Sequence, residues 1–306
     1  MQRETAFLFG VLTLMGAGWG MTQPLAKIAV SEGYRLFGLI FWQLAISAAA
    51  LAVLQTLRRK PLRLDRRAIL VYLFVAFVGT LIPNSATYEA IRHLPSGLIS
   101  ILLALVPMFA FPVALALGNE AFQTTRFLGL VFGLAGVLLI VGPEASLPER
   151  AMVAFVPLAL IAPFFYGLEG NVVARWGTAG LDAVEVLFGA SLLGAIIALP
   201  FAVASGQFID LRGWGAPDKA IVTGAMIHVA VYSTYVWMVG RAGAIFAVQV
   251  SYLVTGFGVF WAMLILGERF SPWVWAAMGV MMVGMFLVQP RSTPRVTTED
   301  ADHSRS

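Results

Sequence analysis

Ten stretches of this chain are apolar for long enough to cross about 30 Å of hydrocarbon, which takes roughly 17 to 25 helical residues. They fall at 5–28, 34–57, 68–91, 94–117, 126–143, 151–174, 182–204, 220–240, 244–266 and 272–290. Nothing between them is large enough for a soluble domain. A backbone in lipid must satisfy its own hydrogen bonds, so the pattern predicts an all-α integral membrane protein with ten transmembrane helices. Composition agrees, since only 12% of residues are charged against about 25% in soluble domains. The longest connection, Gly206 to Lys219, reads as a loop with an interfacial Trp214, and Arg291 to Ser306 reads as a disordered cytoplasmic tail. Arg3 precedes the first stretch as in a signal peptide, but the apolar part is too long and lacks a small-x-small cleavage site, so it is expected to stay as a helix.

Basic residues set the orientation. The cluster Arg58, Arg59, Lys60, Arg63, Arg66 and Arg67 lies between the second and third stretches, and placing it inside puts both termini in the cytoplasm. The expected location is therefore the cytoplasmic (plasma) membrane, crossed many times. The chain has 0 Cys and 3 His, which removes thiol chemistry and argues against a metal site. No GxxxxGK[ST], HExxH or GxSxG string occurs. The expectation is no cofactor, no metal and no nucleic-acid partner; the net charge of +4 is spread over loops rather than one soluble face.

Comparing the chain with itself reveals a repeat at an offset of 147 or 148 residues. Trp19-Gly20 falls on Tyr166-Gly167, Phe41 on Phe188, Tyr88 on Tyr235, Gln23 on Asn171, Lys27 on Arg175, Glu120 on Glu268 and Gly136 on Gly284. Ten helices become five plus five. Because five is odd, the second copy enters the membrane from the opposite side, giving an inverted repeat over 1–143 and 144–290, with 291–306 as the tail. Such pairs pack in two related ways around a midplane site, the arrangement of many secondary transporters.

The two halves also carry matching strings, LVPMFAFPVALALGNEAFQTTRFLGLVFGLAGVLLIVGP and VSYLVTGFGVFWAMLILGERFSPWVWAAMGVMMVGMFLVQP, and the first stretch carries GWGMTQPLAK. These resemble the paired EamA-type domains of the drug/metabolite transporter superfamily, in which a Gly-Glu, a polar turn and a Gly-rich helix follow the fourth helix of each repeat. The first half departs by one inserted residue, Asn119, and Thr255 stands where the first half has Pro107. The resemblance spans about residues 5–290 and implies transport of a small organic metabolite, with amino acids or related amphipathic compounds as first choice and efflux as first direction.

Few polar groups remain inside the stretches, and these are the site candidates. Glu169 is costly to bury, on the order of 3 kcal/mol at midplane. It therefore binds an amino group or coupling proton in a wet cavity, or else pairs with Arg175 or Arg241 at the rim. His228 lies mid-stretch, as a proton or substrate group or as a neutral imidazole bonded to a neighbour. Gln23 and Asn171 are approximate symmetry mates, Asn84 follows Pro83, and Gln249 and Tyr252 share one helical face. Trp19, Tyr88, Tyr232 and Tyr235 adjoin them as aromatic lining. Glu120 and Glu268 read mainly as helix-start carboxylates, Glu89 with Arg92 and His93 as a rim ion cluster, and Lys27 as a helix-end anchor. Gly16 to Gly20 and Gly129 to Gly133 read as faces for close helix packing.

The sequence thus predicts a non-enzymatic secondary transporter whose partners are a small-molecule substrate, the lipid bilayer and protons, with a monomer as the simplest state. Alternatives left standing are a permease for sugar-like or nucleotide-linked metabolites and a non-transporting membrane sensor or scaffold. A central cavity lined by the first, third, sixth, eighth and ninth helices is what distinguishes transport from the last of these.

Overall fold

The structure, a computed structural model, describes residues 2–144 and 146–288, which are helical with no strand among them. Residues Arg291 to Ser306, expected to be a disordered tail, lie outside the described residues. Eight helices are long and apolar enough to cross a membrane: α1 (Glu4–Ser31), α2 (Leu36–Leu57), α3 (Arg66–His93), α4 (Ser96–Ala116), α5 (Thr124–Val141), α6 (Arg150–Trp176), α7 (Ala183–Ala204) and α8 (Ala216–Ala242). Two further apolar helices of 17 residues, α9 (Val250–Leu266) and α10 (Pro272–Val288), are shorter. The ninth apolar stretch is not one continuous helix: a short turn of helix at Ala244–Ala247 precedes α9, and i+3 bonds from Ser251 N to Val248 O and Tyr252 N to Gln249 O bridge the break.

Three other helices are discontinuous for identifiable reasons. In α3 the backbone widens to a π-helix at Val75–Leu81, just ahead of Pro83, whose ring nitrogen cannot donate to the preceding turn. Helix α4 breaks between Leu103 and Val106, beside Pro107. Helix α6 opens as a 3-10 turn at Arg150–Phe155 and is interrupted at Leu160, between Pro157 and Pro163.

Packing pairs α1 with α8 and α9, α6 with α3 and α4, α2 with α7 and α8, α7 with α3, and α5 with α10. Small residues permit the closest crossings. A Cβ on Gly20 of α1 would stand 2.7 Å from the Gly258 nitrogen of α9, and one on Gly284 of α10 would stand 2.7 Å from the Gly129 carbonyl of α5. Both crossings use faces that the sequence marks as small. Outward, α5, α7 and α10 expose apolar side chains such as Leu134, Leu138, Ile196 and Phe286, as a lipid-facing surface requires.

Polar groups concentrate at the helix ends. Asp182 caps α7 in a reciprocal box with Glu185, and it accepts from Arg58 at 2.7 Å and Lys60 at 2.6 Å. Partial burial works against its charge, but the Arg58 and Lys60 hydrogen bonds prevail and hold the carboxyl well below the usual carboxylate range. At the other end of α2, Tyr34 donates to Asp218 at 2.6 Å; desolvation first and that bond second push the phenol up to about 12. Glu89 pairs with Arg92 and His93 as the sequence suggests.

The two motif glutamates behave differently from each other. Glu268 stands before α10 but caps α4 instead, accepting from Ser96 N at 2.7 Å, Ser96 Oγ at 2.8 Å and Gly97 N at 3.0 Å. The first turn of α10 is served by Ser271, whose Oγ faces Val274 N at 3.4 Å. Glu120 instead makes an ion pair with Arg126 of α5.

Candidate functional site

A cavity of about 670 Å³ occupies the middle of the helix bundle, within the range of small-molecule sites. Helices α1, α3, α6, α8 and α9 line it, as expected, and α2, α4 and α7 complete the wall. The breaks of α3, α4 and α9 all border it, through Val75 and Gly79, Leu103 and Val106, and Val248 and Val250. Irregular backbone within a bilayer is tolerated where it faces a cavity or protein rather than lipid.

One side of the cavity is a hydrogen-bonded network. Gln43 of α2 accepts at Oε1 from the Tyr88 hydroxyl at 2.5 Å and from Asn84 Nδ2 at 3.2 Å. Asn84 Oδ1 in turn accepts from the Tyr166 hydroxyl of α6 at 3.2 Å, so three helices are joined through amides and phenols. The other side is aromatic. Trp19 of α1 lies 6.3 Å from the His228 ring and 5.7 Å from the Tyr235 ring, and His228 stacks on Tyr232 at 6.2 Å.

Glu169 reaches the wall between these sides. Among the described residues it makes no ion pair or hydrogen bond, and Arg241, one partner the sequence offers for it, pairs with Glu4 at 2.7 Å instead. The carboxylate lies against the π-helical turn of α3 at Gly79, where an added Cβ would meet its Cδ and both oxygens at 2.6 Å. Glu169 is the one carboxylate of the wall among the described residues, and no Lys or Arg side chain lines it.

The structure brings together Trp19, Gln23, Asn84, Tyr88, Glu169, His228, Tyr232 and Tyr235. Gln23 contributes a buried Oε1 with no protein partner among the described residues. Three other candidates lie off this wall. Asn171 is committed to backbone, donating to Ala110 O and Gly167 O at 2.9 Å while receiving from Asn119. Tyr252 packs against the main apolar core with its hydroxyl unpartnered among the described residues, and Gln249 occupies the position just ahead of α9, at the break whose neighbours Val248 and Val250 do face the cavity. Gln43, the acceptor at the centre of the network, is not among the residues that the sequence singles out. Its signal is an amide set in the apolar run LIFWQLAIS, together with Ser47 one turn on.

The model of the EamA-like transporter family matches residues 7–142 and again 154–289. The chain belongs to that family and is a multi-pass membrane protein of transporter type. It is 22% identical over 265 residues to an uncharacterized transporter of Bacillus subtilis named YoaV, covering 83% of this chain and 86% of the relative. It is 21% identical over 291 residues to a probable terminal-alkyne amino-acid exporter of Streptantibioticus cattleyicolor, covering 93% and 94%. A solved crystal structure aligns with a TM-score of 0.61 at 18% identity over 96% of this chain and 99% of that one, a likeness of fold alone.

Proposed function

We propose that this protein exports a small amphipathic amine, an amino acid or a close relative, from the cytoplasm by alternating access of the central cavity. The observation that carries the reading is Glu169: a carboxylate with no ion pair or hydrogen bond among the described residues, in a cavity wall lined by no Lys or Arg of those residues. It provides the counter-charge for an ammonium group, while Trp19, Tyr232, Tyr235 and the His228 ring accommodate an apolar body. Asn84, Tyr88 and Gln23 supply hydrogen bonds for a carboxyl or carbonyl. An anion without an amino group meets no matching charge, which argues against nucleotide-linked substrates.

Alternating access is supported by the pairing of helices. Exchanging α1 with α6, α2 with α7, α3 with α8, α4 with α9 and α5 with α10 turns the packing pairs into one another, as a five-plus-five inverted repeat over 1–143 and 144–290 requires. On this reading all ten helices cross the bilayer and the Arg58 to Arg67 cluster, with both termini, faces the cytoplasm. Proton coupling falls to Glu169, which the substrate ammonium and a proton occupy in turn.

The test is counterflow in proteoliposomes with a panel of amphipathic amines, each paired with its N-acetyl analogue and run with and without a pH gradient. Flux of amines but not acetylated analogues, lost in Glu169→Gln, is expected. Equal flux of both forms, or an unaffected Glu169→Gln, would overturn the reading.

A further inference from the structure

The α3–α4 hairpin is held from both sides by ionic groups belonging to other helices. Lys27 Nζ, from the end of α1, donates to the carbonyls of Ile91 at 2.7 Å and Arg92 at 3.4 Å, near the end of α3, and of Leu94, just past it, at 3.1 Å. Glu268, from the α9–α10 turn, accepts from the first amides of α4. A cation on a helix C-terminus and an anion on a helix N-terminus are each the favourable sign, and charge-assisted bonds of this kind are the strong ones. The clamped segment is fully packed: Leu94 and Ser96 through Leu102 are all buried. The cavity-lining residues on this side, Ala29, Leu39 and Ala220, are buried, at 1%, 1% and 4% exposure.

The corresponding groups at an offset of 148 residues make none of these contacts. Arg175, the mate of Lys27, is exposed and has no ion pair or hydrogen bond among the described residues. Glu120, the mate of Glu268, is drawn to Arg126. The hairpin they would clamp joins α8 to Ala244–Ala247, the mate of the segment beginning at Ser96. This hairpin is looser: Ala242, Phe246 and Val248 are half-buried, where their mates Leu94, Leu98 and Ser100 are buried. Val248 faces the cavity while Ser100 does not.

We infer that Lys27 with Glu268, and Arg175 with Glu120, are two alternative latches, one on each face, and that only the first is engaged in this structure. Closing the second asks Arg175 to cap the last carbonyls of α8, the mates of those Lys27 holds, and Glu120 to leave Arg126 for the amides of Ala244 and Ile245. Each latch shuts one mouth of the cavity by fixing a hairpin against α1 or α6. The inference deepens the alternating-access reading and rests on it. It assigns the motif glutamates to gating rather than to substrate.

The absence of cysteine from the sequence makes single-cysteine reporters clean. Ala220→Cys reports the latched end and Val248→Cys the opposite end, each read as the rate of reaction with a hydrophilic maleimide in detergent without substrate. In the parent background Val248→Cys should react fast and Ala220→Cys slowly. Lys27→Met or Glu268→Ala should raise Ala220→Cys labelling by at least about tenfold, the factor expected for losing even one of the charge-assisted bonds each side chain makes, whereas Arg175→Met should leave it unchanged. Glu268→Gln, which keeps the shape and part of the hydrogen bonding, guards against misfolding and should give a smaller rise in the same direction. Unchanged Ala220→Cys labelling in monodisperse Lys27→Met and Glu268→Gln proteins would overturn the latch, as would an equal rise in Arg175→Met. A labelling shift in a protein that moves none of the amines supports the latch and refutes the substrate class instead.

Discussion

Replacing Gly79 by Ala separates the binding role of Glu169 from the stability of the fold. The new Cβ stands 2.6 Å from the Glu169 Cδ and both carboxylate oxygens, about 1 Å inside ordinary carbon contact. All three atoms are at the far end of a flexible side chain that faces a cavity, so the carboxylate retreats rather than the helices. Overpacking costs about 1–3 kcal/mol, with the low end appropriate where one side chain can turn away. Ala gains about 1 kcal/mol over Gly in a helix. The two nearly cancel, and the thermal midpoint in detergent should stay close to that of the parent. Binding should not. A bond to a charged group contributes about 1.5–3 kcal/mol, so displacing the carboxylate weakens an amine ligand by roughly 10- to 100-fold in Kd. Calorimetric titration of an amphipathic amine into parent, Gly79→Ala and Glu169→Gln proteins measures this, with the N-acetyl analogue as control. Parent-like amine affinity in a folded Gly79→Ala protein would refute the placement of Glu169 as the ammonium partner.

Other outcomes follow from the same geometry. Gln43→Leu removes the acceptor shared by Tyr88 and Asn84, at about 1–3 kcal/mol for the stranded donors; an unchanged midpoint would show the network to be dispensable. Asp182 has its carboxyl held below the ordinary range, so its contribution is fully present above the unfolded value near 3.9 and fades as pH falls below it. Parent protein should therefore lose stability below about pH 4 with a steeper slope than Asp182→Asn, and parallel acid-unfolding curves would contradict the assignment. Gly284→Val places a side chain where a Cβ alone already meets the Gly129 carbonyl at 2.7 Å; separation of α5 from α10 should appear as a sharply reduced monodisperse fraction.

The helical frame was legible because hydrocarbon leaves a chain few options. Eight of the ten apolar runs coincide with helices long enough to cross a membrane and the last two with shorter apolar helices, and boundaries moved where capping, not hydropathy, decides them. The third helix starts at Arg66 rather than 68 because Asp65 accepts from Ala68 N, and the ninth stretch divides at Val248 and Gln249 with no proline to announce it. Rarity was an incomplete guide to the site. Glu169 and His228 stand out in apolar sequence and do face the cavity. Asn171 stands out equally but spends its amide on the Ala110 and Gly167 carbonyls. A one-dimensional pattern shows that a polar group must be satisfied without showing by what. Glu268 is the sharper case: helix-start chemistry was readable, yet the helix it caps begins 172 residues away at Ser96.

Why the cavity lies where helices break follows from the same rule that makes the frame readable. An interrupted ladder leaves amides and carbonyls without helical partners, and lipid cannot satisfy them. The breaks in α3, α4 and α9 are therefore confined to faces turned inward, and once several meet there, the interior gains polar backbone that a packed apolar core lacks. The same interruptions divide α4 into a short outer segment, Ser96–Leu103, and a longer one, Val106–Ala116. The outer segment is anchored at one end by Glu268 and hinged at the other beside the cavity wall. Its mate, Ala244–Ala247, ends at a similar break at Val248 and Gln249, but Glu120, the counterpart of Glu268, pairs with Arg126 instead of capping it. On the latch proposal these two short segments, each ending at a break beside the cavity, are the parts that move when one mouth shuts and the other opens.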